Sequence, residues 1–203
     1  MMSLWLAAAP LVLASKSAVR RALLEAAGIP IDAIPADIDE RAVEADAKTG
    51  RAETAAALLA RAKALAVARQ LPGRLVLGAD QTLAFGSQRF SKPSDRNNAM
   101  AQLRALRGRT HELHSALALA RDGKVMFEHH DMARLTMRSF SDEFLQDYLD
   151  AAGEGVAASV GGYQLEGPGI QLFKRIEGDY FTILGLPLLP VLNFLRRERY
   201  LAE

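Results

Sequence analysis

Short apolar runs alternate along this chain with stretches whose apolar residues repeat at helical spacing, and that alternation constrains the fold more than any other feature. Strands and helices in alternation bury their apolar faces by layering, so the pattern suggests an α/β domain. Leu11 to Ala14 reads as a buried first strand. Ser17 suits the N-cap of a helix through Val19, Leu23 and Ala27, which Gly28 closes. Ile29 to Glu40 reads as a strand or extended segment rich in carboxylates. A second helix is expected from about Glu53 to Gln70, with Leu58, Leu59, Ala62, Leu65 and Ala66 on one stripe. Pro72-Gly73 punctuates it, and Leu75-Val76-Leu77 follows as a strand that ends at Asp80.

The second half begins with a hairpin around Gly86-Ser87 and a helix from Asp95 to Arg107, ended by Gly108. Residues 110–121 alternate as a strand, Asp122-Gly123 is a hairpin turn, and a strand pair covers about 124–138. Ser141 caps a helix through Tyr148, with Asp142 and Glu143 at its positive end. Gly153 to Gly169 reads as loop and short strand. A last hairpin around Gly178-Asp179 leads to a helix from near Pro187. No repeat or linker divides the chain, so residues 1–203 are expected to form a single domain.

Composition narrows the function. Half the residues are hydrophobic and 24% are charged, enough for a proper core. A net charge of +1 argues against a nucleic acid polymer or a membrane surface as the main partner. Without cysteine there is no disulfide, thiolate metal site or cysteine nucleophile, which fits a cytoplasmic protein. The apolar run Leu4 to Ala14 has no Lys or Arg before it and is too short to span a bilayer. It reads as the approach to a buried strand, not a signal peptide.

Three segments could carry chemistry. Ser15-Lys16-Ser17 with Arg20 and Arg21 crowds cations at a helix N-terminus, which itself attracts anions; a phosphate would resolve that conflict. Arginines turned to solvent would serve equally well. Gly78-Ala79-Asp80-Gln81 places a carboxylate at the edge of a core, where a nearby cation would favour its ionised form. Capping of a turn is the alternative. Asp37-Ile38-Asp39-Glu40 offers oxygens to a hard cation, or is a solvated loop. Lys63 and Lys92 are not singled out by pattern, and periodicity does not distinguish Lys63 from Arg61. In the stretch Gly161 to Gly169, Gln164 and Glu166 would share one face if the segment were extended. His111 and His114 fall on opposite faces of a strand and make a poor metal pair.

Taken together, these segments resemble the Maf family of nucleotide pyrophosphatases over nearly the whole chain. The motifs stand in family order: Ser15 with Arg20, Asp37 to Glu40, Lys63, Gly78-Ala79-Asp80, Lys92-Pro93, Gly108 to His111, Gly161 to Gly169, and Glu177-Gly178-Asp179-Tyr180. The resemblance implies a mixed twisted sheet with flanking helices, two lobes around a central cleft, and a homodimer. It also implies cleavage between the α- and β-phosphates of a nucleoside triphosphate, with a divalent cation, Mg²⁺ or Mn²⁺, as cofactor. By the same resemblance Asp80 is the proton acceptor and, with Glu40, a metal-linked carboxylate. Ser15, Arg20, Lys63 and Lys92 would grip the triphosphate, with Arg21 beside them.

With Gln81 after Asp80, and Glu166 in the glycine-rich stretch, the chain resembles the 7-methyl-GTP pyrophosphatase-like group. The thymidine and uridine type commonly carries Thr and Gln there. A carboxylate accepts from both the N1–H and N2–H₂ donors of guanine, so the chemistry agrees. The chain departs from the family pattern at Ala18, Val19 and Ser91. A broader or dTTP/UTP-preferring enzyme is the alternative within the class, and a non-catalytic regulator of cell division is the alternative outside it.

Overall fold

The computed structural model of the chain describes residues 4–46 and 50–203. Its framework is a mixed sheet of β1 (Leu11–Leu13), β2 (Ile31–Ala33), β3 (Val76–Phe85), β4 (Gln88–Phe90), β5 (Thr110–Arg121), β6 (Lys124–Met137) and β7 (Phe173–Glu177). The flanking helices are α1 (Ala18–Ala26), α2 (Glu40–Asp46), α3 (Ala52–Ala68), α4 (Arg96–Leu106), α5 (Asp142–Ala152), α6 (Tyr180–Ile183) and α7 (Leu188–Arg197). The strands run in the order β2-β1-β3-β5-β6-β7, and β4 pairs separately with β3. The α/β class and the mixed sheet are as the sequence implied. Among the described residues, no helix is long and apolar enough to cross a membrane.

Local chemistry set many boundaries where expected. Ser17, Asp95 and Ser141 each accept a backbone N–H as helix N-caps. Asp122 and Gly123 turn with φ of 52° and 70°, the left-handed pair that a two-residue hairpin needs. The apolar N-terminal stretch leads into β1, and Trp5 bridges to Leu201 beside the end of the chain. Met1 to Ser3 lie outside the described residues.

Elsewhere the fold departs from the sequence expectation. Asp80 is not at a strand end: β3 runs ten residues, and Asp80 stands opposite Ala116 of β5 in its middle. Antiparallel pairing with β5 from Val76 to Ala84 carries the strand through the polar pair Asp80-Gln81. The segment read as extended to Glu40 turns helical there, with Asp39 accepting from the N–H of Ala42. Residues 124–138 hold one long strand, not a pair, because β5 pairs with β6 along almost its whole length. Gly153 to Gly169 contains three short 3-10 turns and no strand. Gly178-Asp179 is no hairpin: Asp179 caps α6.

The stripe assigned to α3 is likewise displaced. Of its five residues only Leu59 is buried; the core side is Ala52, Ala55, Ala56, Leu59, Ala60, Ala64, Val67 and Ala68. Small residues face the sheet because helix and strand are almost in backbone contact. A Cβ on Gly78 would lie 2.2 Å from the Ala60 carbonyl oxygen and 2.6 Å from the Ala64 nitrogen. Large residues had marked the wrong face.

Alternation along β3 separates its two faces. Gly78 and Asp80 look towards α3, whereas Leu77, Ala79, Gln81 and Leu83 look the other way. On that second face two apolar clusters form in tandem. One joins Leu13, Leu77, Ala79 and Leu117 to α1 and α7. The other joins Leu83, Leu113 and Leu135 to α4 and α5. The two lobes share β3 and β5, and Asp80-Gln81 falls between them.

A gap in the sheet marks the same place. β1 pairs with β3 only at Val76 and Leu77, and β4 takes up that edge again at Leu83 to Phe85. From Gly78 to Thr82 this edge of β3 has no strand beside it among the described residues. The notch puts Asp80 at its centre, with the exit of β1 on one side and the exit of β4 on the other.

Candidate active site

The elements bordering the notch deliver its charged side chains. Lys63 comes from α3, on the face that Asp80 shares. Its ammonium lies 2.6 Å from Asp80 Oδ1 and 2.7 Å from Glu40 Oε1, so one cation joins the two carboxylates. Lys63 and Asp80 are largely buried, each side chain 12% exposed, whereas Glu40 on the first turn of α2 is half open. Arg61, two residues away, instead pairs with Glu128 at the surface. Helical geometry alone could not choose between them; the approach of α3 to the sheet does.

Arg20, on α1, enters from the exit of β1. Its Nη1 donates to the Ala79 carbonyl at 2.8 Å and to Ser15 Oγ at 3.2 Å, while Nε donates to the Gly185 carbonyl at 2.7 Å. The Ala79 carbonyl is free to accept because β1 has ended. Ser15 and Ser17, with Lys16 and Arg21, border an open depression of about 340 Å³ at the start of α1. Arg21 is also held by Glu25 at 2.8 Å. Lys92 follows β4 across the notch. Partial burial of its ammonium, then repulsion from Arg20 and Lys63, lowers its pKa. Ser15, Arg20, Lys63, Asp80, Glu40 and Lys92 thus lie around one notch.

Burial raises the Asp80 pKa above the ordinary carboxylate value; Lys63 and Arg20 pull it back, and Glu40 adds to the rise. A base must be ionised, so activity resting on Asp80 should fall as pH drops through that raised value. A pH profile of kcat/KM is expected to show its acid limb above the ordinary aspartate range. An acid limb that stays unchanged in Asp80→Asn would remove Asp80 from the rate equation.

The glycine-rich stretch is arranged differently from the expectation. Gln164 and Glu166 do not alternate on an extended strand; Glu166 lies in a turn and is exposed, and Gln164 backs onto Gly155 and Gly169 beside α5. Gly169 has to be glycine here, since a Cβ would meet the Gln164 carbonyl oxygen at 2.3 Å. Neither side chain is hydrogen-bonded to the Lys63 cluster among the described residues. His111 is buried against Tyr163, Nε2 to hydroxyl 2.6 Å, and burial lowers its pKa to about 4. It anchors the stretch as a neutral ring.

Gln81 faces away from Asp80, as alternation requires. Its amide nitrogen donates to Ser115 Oγ at 2.9 Å and to the Thr182 and Ile183 carbonyls at 3.1 and 2.9 Å. Sequence reasoning missed Ser115 and Thr182. A lone serine inside the apolar run Leu113 to Ala120 was the one signal for the first, and Thr182 carried none.

Comparison with known proteins gives the family. The family model described as Maf-like protein matches residues 10–198. The chain belongs to the Maf family. Among Maf relatives, a nucleoside triphosphate pyrophosphatase of Rhodopseudomonas palustris (strain BisB18) is 58% identical, over 99% of this chain and 100% of that protein. One from Bradyrhizobium diazoefficiens is 57% identical with the same coverage. A 7-methyl-GTP pyrophosphatase of Brucella abortus is 52% identical, over 93% of this chain and 96% of its own length. A HAM1 protein structure from Coxiella burnetii aligns with a TM-score of 0.42 and 20% identity, over 63% of this chain and 72% of that one, too loosely to add to the Maf assignment.

Proposed function

We infer that this protein is a nucleoside triphosphate pyrophosphatase, releasing pyrophosphate and a nucleoside monophosphate. The carrying observation is the Lys63 ammonium held between Asp80 and Glu40, with Arg20 and Lys92 on the same notch. Such a group of cations and carboxylates suits a polyanion and a hard cation together. Relatives across nearly the full length of the chain bear that activity in their names.

The residues divide the chemistry between them. Arg20, Lys63 and Lys92 hold the phosphates and take up negative charge on the departing pyrophosphate, with Ser15 beside Arg20. Asp80, ionised, orients a water and accepts its proton. The carboxylates also fit a divalent cation. The second oxygen of each has no hydrogen bond among the described residues, and Mg²⁺ usually takes one or two carboxylates plus substrate phosphates. Among the described residues no group of three His, Asp or Glu could hold a metal alone, so a cation shared with the nucleotide fits better than a resident one. When bound, it would polarise the phosphoryl group.

For the base, Gln81 and Glu166 favour 7-methyl-GTP, and the Brucella relative carries that name. A homodimer in the cytoplasm completes the proposal. A panel of 7-methyl-GTP, GTP, UTP and dTTP with Mg²⁺, scored for pyrophosphate, tests it. Release is expected to be fastest with 7-methyl-GTP. Preference for UTP or dTTP would overturn the base assignment, and no release at all would favour a non-catalytic regulator.

A further inference from the structure

The short helix α6 and the turn after it bind both Arg20 and Gln81. The Gly185 carbonyl accepts from Arg20 Nε at 2.7 Å. The Thr182 and Ile183 carbonyls accept from Gln81. The Thr182 carbonyl also accepts from the Gly185 N–H at 3.0 Å, so the α6 turn and the Gln81 amide are joined at one oxygen. Two carbonyls demand donors, which fixes the Gln81 carboxamide with its NH₂ inward. Among the described residues Gln81 Oε1 accepts no hydrogen bond, and it is not among the buried unpaired polar atoms. Gln81 can therefore offer a ligand its acceptor oxygen, while its two hydrogens are already taken.

Thr182 is the anchor of this arrangement. Wholly buried, it donates from Oγ1 to Asp131 Oδ2 of β6 at 3.0 Å, and its N–H is capped by Asp179 Oδ2 at 2.9 Å. Its carbonyl also accepts from Ser115 Oγ at 2.7 Å. Gly185 adds a steric limit: at φ +87°, a Cβ there would lie 3.3 Å from Arg20 Nη2 and 3.6 Å from Gln81 Cδ. Arg20, Gly185 and Gln81 thus meet at one point.

We propose that Thr182, held by Asp131 and Ser115, is a positioning residue that sets the Gln81 acceptor oxygen towards a base edge bearing N–H donors, and keeps it in register with Arg20. The base end of this statement rests on the pyrophosphatase assignment. It predicts that substrate selectivity and turnover are linked through the α6 turn. A merely structural Thr182 would lower the melting temperature and leave selectivity alone.

The test compares Thr182→Val, which loses the hydroxyl, with Thr182→Ser, which keeps it. Nitrogen-resolved NMR follows hydrogen exchange of the Gln81 carboxamide, and steady-state assays give the kcat/KM ratio of 7-methyl-GTP to UTP. Thr182→Val is expected to lose amide protection and to lower the ratio about three- to tenfold, the scale of one net hydrogen bond. Thr182→Ser should keep both. Unchanged protection, or an unchanged ratio in folded Thr182→Val, would overturn the proposal. If Thr182→Val does not fold, Ser115→Ala removes a bond from the same network and is judged on the same two readouts. Should the unaltered protein turn over no nucleotide, the pyrophosphatase assignment fails, and the exchange measurement alone decides the positioning role.

Discussion

Asp80→Asn is expected to lower kcat by about 10²- to 10⁴-fold, the usual contribution of a positioned general base. The folded state should survive. Burial already pushes Asp80 towards its neutral form, so an isosteric amide removes a charge that the interior resists. Lys63 keeps Glu40, 2.7 Å away, and is not stranded. Linkage gives the sign: a carboxyl with a raised pKa adds stability below its unfolded value and loses it as pH rises through the folded one. Near neutral pH the variant should therefore melt no lower than the parent, or only slightly lower where the lost Lys63 contact outweighs the relief. Pyrophosphate release against nucleotide concentration, beside a thermal melt, measures both. Normal turnover in a folded Asp80→Asn would end the catalytic assignment.

Gly78→Val should damage the fold severely. Its first side-chain carbon would arrive 2.2 Å from the Ala60 carbonyl oxygen and 2.6 Å from the Ala64 nitrogen. Those are backbone atoms of α3, which cannot rotate aside as a flexible side chain would. Overpacking a core typically costs about 1–3 kcal/mol, and a clash with main chain belongs at or beyond the upper end. For a chain of this size, a loss of about 3 kcal/mol lowers the melting temperature by roughly 6–12 °C. Pushing α3 away also separates Lys63 from Asp80, so activity should fall further than stability alone predicts. Gly78→Ala should show the same trend more mildly. A Gly78→Val protein melting with the parent would mean that α3 sits farther from β3 than described.

The sequence made some of this legible and hid the rest for physical reasons. Caps at Ser17, Asp95 and Ser141 and the Asp122-Gly123 turn are local devices, readable from a few neighbouring residues. The buried side of α3 was not, because apolar size pointed to Leu58 and Leu65 while the sheet's closeness selected alanines. Periodicity could place Asp80 and Lys63 on a strand and a helix. It could not show that they meet, since that depends on the backbone approach at Gly78. The ordered motifs supplied the residue list, but not the opposed directions of Asp80 and Gln81. The network of Ser115, Thr182 and Asp131 joins β5, α6 and β6, elements far apart in the chain, and leaves no local pattern.

A break in the ladder has a further consequence. Unpaired strand edges invite pairing from other chains, and proteins usually guard them with charge, proline or cover. From Gly78 to Thr82 the guard is Arg20, whose guanidinium occupies the Ala79 carbonyl that an intruding strand would seek first. The cation proposed to grip the phosphates would therefore also act as a stopper against self-association. Losing it would open the sheet to its neighbours as well as emptying the site of a charge.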